Sequence, residues 1–183
     1  MNRIVYVLAA AFFALITSCK GVNKDELKAE IDQFEANVSE LDRAVDTASA
    51  NKIVRLYSTY ANEFPDDSLA PIYLFKAADV LQGICEYKSA VHYYNRILDN
   101  YPDFDGRALS FFFKGRAYEQ SAMIDSAIVV YEDFLELYPD HFLAEDTRKM
   151  LPMLKLGLND QEQFSYIMEH SVDTTIVRDN DAK

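Results

Sequence analysis

The hydrophobic pattern divides the chain into an unbroken apolar run near its start and a longer part with spaced apolar residues. The run extends from Ile4 to Ile16, whereas from Leu27 to Val45 apolar residues recur at intervals of three and four, as on one face of a helix. Gly and Pro contribute only 5 residues each, so tight hairpins and glycine-rich phosphate loops have few residues to form them. This pattern predicts an all-α protein.

The apolar run has the features of an export signal. Its 13 residues would rise only about 20 Å as a helix, whereas the hydrocarbon core of a bilayer is roughly 30 Å thick. Arg3 precedes the run, and the small residues Thr17 and Ser18 follow it, just before Cys19. The segment is therefore predicted to be a cleaved signal and not a membrane span.

The string ITSC, which ends at Cys19, resembles the lipobox of bacterial lipoproteins. The resemblance implies that residues 1–18 are removed and that Cys19 becomes a lipidated N-terminus, with residues 19–23 as a tether. An ordinary secretory signal with an incidental Cys19 is the alternative. Because Cys19 would be capped, Cys85 has no disulfide partner, and we predict it to be a small buried apolar residue.

The charge of the chain excludes one class of partner. Against 18 Lys and Arg there are 30 Asp and Glu, a net charge of -12, which repels phosphate backbones and anionic lipid surfaces. We expect no nucleic-acid partner and expect the lipid to hold the protein at the membrane. The sequence KGVN after the first cysteine has no acidic residue and so resembles outer-membrane lipoproteins that face the periplasm.

An internal repeat gives the architecture. An aromatic residue, Pro and Asp occur in this order three times, and the prolines Pro65, Pro102 and Pro139 lie 37 residues apart. Other positions repeat at the same offsets, as Ala78, Leu81, Ala90, Tyr94 and Ile97 before the second proline and as Gly115, Tyr118, Ala127, Tyr131 and Phe134 before the third. Small residues at two of these positions allow two antiparallel helices to cross closely.

This pattern resembles the tetratricopeptide repeat (TPR). The resemblance implies a right-handed superhelix of about three TPR helix hairpins with C-terminal capping helices. The array is expected over residues 24–157, with helix pairs at about 24–65, 66–102 and 103–139 and a capping helix at 140–157. Residues 158–183 are expected to hold a short helix, near 160–170, and a frayed tail; Phe164, Ile167 and Met168 form one apolar face of that helix.

Two details of the repeat depart from the usual pattern. The period is 37 where about 34 is usual, and we place the extra residues between each proline and the next helix, with Asp67 or Ser68, Asp105 and Asp140 as N-cap candidates. The capping helix is expected to run from His141 to about Leu151 and to break at Pro152.

The first helix allows two interpretations. Its apolar residues follow a heptad pattern, which would suit a homo-oligomeric coiled coil. The same stripe is what the helix needs to pack on Tyr57 and Tyr60 of its own pair. The stripe consists of Leu27, Ile31, Phe34, Val38, Leu41 and Val45.

No catalytic or metal-binding motif is found in the sequence. His92, His141 and His170 are too far apart for a ligand pair on one helix. The string DFDG at Asp103 to Gly106 lacks the defining oxygen ligands of a calcium loop and is interpreted as a helix cap. We therefore predict no enzyme activity, no metal and no cofactor.

The TPR resemblance implies a binding groove lined by the first helix of each pair. Carried over by offset, the exposed positions include Ile72 and Leu109, and the candidate protein-binding residues are Phe75, Asp79, Gln82, Phe112, Arg116 and Glu119. Phe75 and Phe112 occupy equivalent sites and would anchor an apolar peptide. The alternative is that both rings pack between neighbouring helices or are covered by Phe164, Ile167 and Met168.

The expected function is that of a membrane-anchored TPR scaffold for protein–protein interactions in envelope biogenesis or outer-membrane protein assembly. This expectation rests on a resemblance of the chain to the TPR lipoproteins of outer-membrane protein assembly and of the Tol-Pal system. Its partners would be envelope proteins or peptides. The alternative is a periplasmic lipoprotein that binds glycans or cell-wall fragments through aromatic side chains, although the chain has no Trp.

Overall fold

The fold is helical throughout the part of the chain that the structure describes. This computed structural model describes residues 21–39, 46–158 and 160–171, which form eight helices and no strand. The helices are α1 (Lys24–Ser39), α2 (Thr47–Glu63), α3 (Leu69–Gly83), α4 (Tyr87–Asn100), α5 (Arg107–Gln120), α6 (Ile124–Leu137), α7 (Ala144–Leu156) and α8 (Asp160–Ser171). The predicted all-α fold class is confirmed.

The chain forms two compact units, which divide between Ala70 and Pro71. Among the described helices, none is long and apolar enough to cross a bilayer. The predicted signal peptide and Cys19 lie outside the described residues.

The first unit is built on the packing of α1 against α2. Leu27 and Ile31 of α1 are buried, and the hydroxyl of Tyr57 in α2 donates a hydrogen bond to the Glu35 carboxylate of α1 over 2.7 Å. The first two residues of the apolar stripe are therefore buried, while Phe34 and Val38 are half-buried. Leu41 and Val45, which complete the heptad pattern, are not among the described residues.

Polar side chains cap the N-termini of α1 and α2. The Asn23 side chain accepts from the N–H groups of Asp25 and Glu26, at the start of α1. Asp46 does the same for α2, where its carboxylate accepts from the N–H groups of Ala48 and Ser49 over 3.0 Å each. These bonds satisfy N–H groups that have no partner within the helix.

The second unit contains the two regular repeats. Helix α5 packs against α4 and α6, and α7 packs against α6. Its large fully buried side chains include Tyr94 and Ile97 on α4 and Tyr131 and Phe134 on α6, the positions that the repeat pattern assigns to packing. The small residues of the pattern, Ala78, Ala90, Gly115 and Ala127, are buried as well.

The connection after each pair explains the long period. In each of the three copies, the aromatic residue before the proline donates its N–H to the carbonyl four residues back over 2.9 Å and then accepts from the N–H three residues ahead. In the second copy, Tyr101 donates to Ile97 and accepts from Phe104, whose own carbonyl accepts from Arg107. Two successive tight turns therefore use the extra residues before the next helix starts.

These turns also explain why two predicted N-caps are wrong. Asp67 does accept from the N–H of Leu69 over 2.8 Å, but Asp105 and Asp140 do not cap α5 and α7. The N-cap residues of α5 and α7 are Gly106 and Leu143, and no side-chain hydrogen bond caps either helix. The backbone carbonyl of Phe104 already accepts from the first N–H of α5, so a side-chain acceptor is not needed there. The string DFDG does contain the N-cap residue of α5, Gly106, but it provides no side-chain cap.

The predicted break at Pro152 is also wrong. Helix α7 continues through Pro152 to Leu156 and ends at Gly157, whose φ of 65° is left-handed. A proline within a helix removes a hydrogen bond and costs about 3 kcal/mol. Leu151 and Met153 on either side of it are buried, and Leu151 packs against Ala127 and Tyr131 of α6. The burial of Leu151 and Met153 stabilises the continuous helix and offsets the cost of the proline.

Cys85 is exposed, in contrast to the prediction that it is buried. It lies in the turn between α3 and α4 and has a φ of 62°. Ala122, at the equivalent position between α5 and α6, has a φ of 59°. Both residues close the first helix of their pair in the left-handed region, and such a turn leaves the side chain at the surface.

Candidate protein-binding face

The six candidate residues lie on α3 and α5, the first helices of the two regular pairs, and every one is part of the second unit. Together with Ile72 and Leu109 they define what we call the α3–α5 face. Its members are Ile72, Phe75, Asp79, Gln82, Leu109, Phe112, Arg116 and Glu119.

Phe75 and Phe112 make the same contact in their respective pairs. The Phe75 ring meets Tyr94 of α4, and the Phe112 ring meets Tyr131 of α6, each with ring centroids 5.8 Å apart. Phe112 also contacts Phe134, at 5.9 Å. Both rings are half-buried. Much of the surface of both rings is therefore packed against neighbouring helices, as the alternative interpretation expects.

The second repeated contact is a hydrogen bond to the same two tyrosines. Gln82 donates from Nε2 to the Tyr94 hydroxyl over 2.6 Å, and the Tyr131 hydroxyl donates to the Glu119 carboxylate over 3.0 Å. Gln82 and Glu119 are thus fixed by their own pair. Burial raises the pKa of both tyrosines well above the ordinary phenol value, and the Glu119 carboxylate raises that of Tyr131 further.

Phe113 joins the two pairs and was missed among the candidate residues. Its ring lies 5.9 Å from Phe75 and 5.6 Å from Phe112, between centroids. The contacts form a continuous aromatic row from α4 through α3 and α5 to α6. We define the aromatic row as Tyr94, Phe75, Phe113, Phe112 and Tyr131. The triple Phe at 111–113 was the signal in the sequence, because three consecutive rings cannot share one side of a helix.

Three members of the face are accessible to solvent. Asp79 and Arg116 are exposed, and Ile72 is exposed by 38%. The Arg116 guanidinium lies 6.0 Å from the centroid of the Phe113 ring, within cation–π range. The face therefore presents one carboxylate, one guanidinium and one aliphatic side chain above half-buried rings.

The C-terminal helix does not supply an apolar cover for these rings. Phe164, Ile167 and Met168 of α8 are exposed by 65%, 50% and 52%. That part of the alternative is contradicted by the described residues.

The described ranges contain no group of three or more His, Cys, Asp or Glu side chains that could hold a metal ion. His92 is exposed against the Tyr93 ring, and His141 is half-buried and accepts the Leu143 N–H at Nδ1.

Comparison with known proteins agrees with the geometry of the third pair. Residues 114–141 match the tetratricopeptide repeat family, and this range runs from the middle of α5 to the turn after α6. No curated protein matches the chain. The helix pair formed by α5 and α6 thus contains a tetratricopeptide repeat.

Proposed function

We propose that this protein is a membrane-anchored scaffold that binds a protein or peptide segment of the bacterial envelope on the α3–α5 face. The repeat supports a scaffold role, since TPR proteins generally mediate protein–protein contacts and are generally not catalysts.

The observation that carries the proposal is the combination of a rigid base and accessible charges. The aromatic row ties four helices together by ring contacts of 5.6 to 5.9 Å. Above it, Asp79 and Arg116 are exposed and of opposite sign. A preorganised surface of this kind loses little conformational entropy when a partner binds.

Half-buried rings also guide the choice of partner class. Phe75 and Phe112 already use much of their surface against Tyr94 and Tyr131. Little flat ring area is left for stacking on a sugar, so a polypeptide is the better ligand. The charges would orient the polypeptide.

The proposed location follows from the N-terminal sequence. The lipobox-like string ITSC would attach Cys19 to the membrane, and only four residues separate Cys19 from Lys24, where α1 begins. The absence of acidic residues in KGVN supports outer-membrane attachment with the protein facing the periplasm.

Charge reversal on the face tests the function. We expect Arg116→Glu and Asp79→Lys to remove an envelope protein that co-purifies with the lipidated wild type after cross-linking in membranes. Both side chains are exposed, so the thermal midpoint should change little. Phe112→Asp is unsuitable, because the Phe112 ring packs on Tyr131 and Phe134 and its loss would destabilise the pair.

Matched controls are available on the second helices of the same pairs. Lys88→Glu on α4 and Glu136→Lys on α6 reverse exposed charges away from the face. They should leave the co-purifying protein in place. Retention of every partner in Arg116→Glu and Asp79→Lys, or an equal loss in the controls, would contradict the proposed binding face.

A further inference from the structure

Two charged residues of the α3–α5 face occupy the same position in successive helix pairs. Asp79 on α3 and Arg116 on α5 lie 37 residues apart, which is the period of the repeat, and both are exposed. The repeat therefore places a carboxylate and a guanidinium at equivalent points of two first helices. The equivalent residue of α7 is Met153, which is buried, so across these three helices the position holds one charge of each sign.

Neither charge is neutralised within the part of the chain that the structure describes. There, the side chains of Asp79 and Arg116 form no ion pair and no hydrogen bond, and the Arg116 guanidinium lies over the Phe113 ring. Both charges act on one buried group. Burial has the largest effect on the pKa of the Tyr94 hydroxyl, and Asp79 raises that pKa further whereas Arg116 lowers it. The two charges therefore lie close to the same hydroxyl.

Two aliphatic residues repeat in the same way. Ile72 on α3 and Leu109 on α5 each lie seven residues before the charged residue of their helix. Seven residues make nearly two turns, so each aliphatic side chain shares a helix face with that charge, about 10 Å away along the axis. Ile72 is exposed and Leu109 is half-buried. The face thus offers an aliphatic contact at one end and two opposite charges at the other.

We propose that the partner segment bound on the α3–α5 face is dipolar. It places a Lys or Arg against Asp79 and an Asp or Glu against Arg116, while an aliphatic side chain of the same segment contacts Ile72 and Leu109. This inference rests on the proposed function, which gives a polypeptide as the ligand, and adds the chemistry by which that polypeptide is selected.

The arrangement of charges excludes partner segments of a single sign. A segment with only basic side chains would bring one of them to Arg116, and a segment with only acidic side chains would bring one to Asp79. Like charges that meet in an interface weaken binding and reject the wrong partner. The Glu119 carboxylate, one turn beyond Arg116, already accepts a hydrogen bond from the Tyr131 hydroxyl. Arg116 therefore stays available to the partner.

Selection from a random peptide library tests the proposal. Peptides of about 12 residues, long enough to cross the face in an extended conformation, are displayed on phage. They are selected on the full chain, isolated from membranes and held in nanodiscs, after removal of peptides that bind empty nanodiscs. The readout is the sign of the charged residues in the enriched peptides. The wild type should enrich peptides that contain a basic, an acidic and an aliphatic residue.

Charge reversal should change the selected class in opposite directions. Arg116→Glu leaves two acidic residues at the repeated position and should enrich peptides with basic residues alone. Asp79→Lys leaves two basic residues there and should enrich peptides with acidic residues alone. A peptide selected on the wild type should bind each variant about tenfold more weakly in fluorescence anisotropy. Both sites are exposed, so circular dichroism should show an unchanged fold.

Two further variants separate this inference from the proposed function. Lys88→Glu reverses an exposed charge on α4 and should enrich the same class of peptide as the wild type. Ile72→Ser removes the exposed aliphatic side chain of the face and should weaken the wild-type peptides about fivefold, whatever their charges.

Three results would overturn the dipolar partner. Peptides that respond to Ile72→Ser but carry the same charges for the wild type, Arg116→Glu and Asp79→Lys would refute it and leave the proposed function intact. Enrichment of peptides of a single sign on the wild type would do the same. No enrichment on the wild type beyond empty nanodiscs would contradict this inference and polypeptide binding on the α3–α5 face together.

Discussion

At the scale of single residues, Gly115 sets how closely α5 crosses α6. A Cβ atom added to Gly115 would lie 2.6 Å from a ring carbon of Tyr131, a ring that is fully buried and whose hydroxyl is bonded to Glu119. The ring has little room to move away. Glycine is required here by close approach, because its φ is not in the left-handed region.

Gly115→Ala should therefore destabilise the protein by about 1 to 3 kcal/mol, although alanine favours a helix. Gly83→Ala is the matched control, since a Cβ at this helical position meets nothing within 4 Å. The control should be neutral or stabilising by up to about 1 kcal/mol. Urea denaturation measures both changes; equal effects would refute the close-approach account.

Backbone strain at Ala122 predicts a substitution that stabilises the protein, in contrast to Gly115→Ala. Ala122 has a φ of 59°, a region that costs a non-glycine residue roughly 1 to 2 kcal/mol. Ala122→Gly should raise the free energy of unfolding by up to about 1 kcal/mol, once the greater freedom of glycine in the unfolded chain is included.

Ala36→Gly, at an exposed helical position of α1, should instead lower the free energy of unfolding by about 1 kcal/mol. Thermal melts compare the two variants. A loss of stability in Ala122→Gly would show that the turn is not strained.

The cap of α2 predicts a pH effect. Hydrogen bonds from the Ser49 backbone and side chain lower the pKa of Asp46 from its ordinary value of 3.8. A lowered folded-state pKa means that the stabilisation is present above about pH 4 and is lost as the pH falls through the folded value. Asp46→Ala should therefore melt at a lower temperature than the wild type at pH 7, and the gap should close toward pH 2. A gap that is independent of pH would contradict this.

At the scale of helices, α7 contains a proline where the register places the small residue of a first helix. Pro152→Ala should stabilise the protein by about 1 to 3 kcal/mol, because the backbone hydrogen bond is restored while Leu151 and Met153 keep their buried places. Pro71→Ala, in the first turn of α3, is the control and should have a much smaller effect. Denaturant titration measures both, and no gain from Pro152→Ala would show that α7 is already broken at this residue in solution.

Helix positions could be predicted where packing dictates the sequence. The spacing of 37 residues and the small residues Ala78, Ala90, Gly115 and Ala127 identify helix pairs without coordinates. Helix ends were harder, because backbone carbonyls in the turns after each proline replace side-chain caps such as Asp105. Burial of Leu151 and Met153, which overrides the proline between them, also depends on tertiary contacts that a local pattern does not contain.

At the scale of the molecule, offset arithmetic placed the candidate residues on α3 and α5, but it did not give their degree of exposure. Phe75 and Phe112 repeat in sequence and also in their contacts with Tyr94 and Tyr131. Phe113 breaks the period, since its counterpart in the preceding pair is Lys76, and so the comparison of repeats passed over the ring that joins the pairs. The repeat pattern describes packing within one helix pair, so it does not reveal contacts between adjacent pairs.

Site-specific photocross-linking tests the central claim most directly. A benzophenone amino acid is placed at position 79 or 116 of the full lipidated chain in its native membrane, and at positions 88 and 136 as exposed controls. We expect positions 79 and 116 to capture the same envelope protein and the two controls not to capture it. Failure of both face positions, or equal capture at positions 88 and 136, would contradict a partner bound on the α3–α5 face.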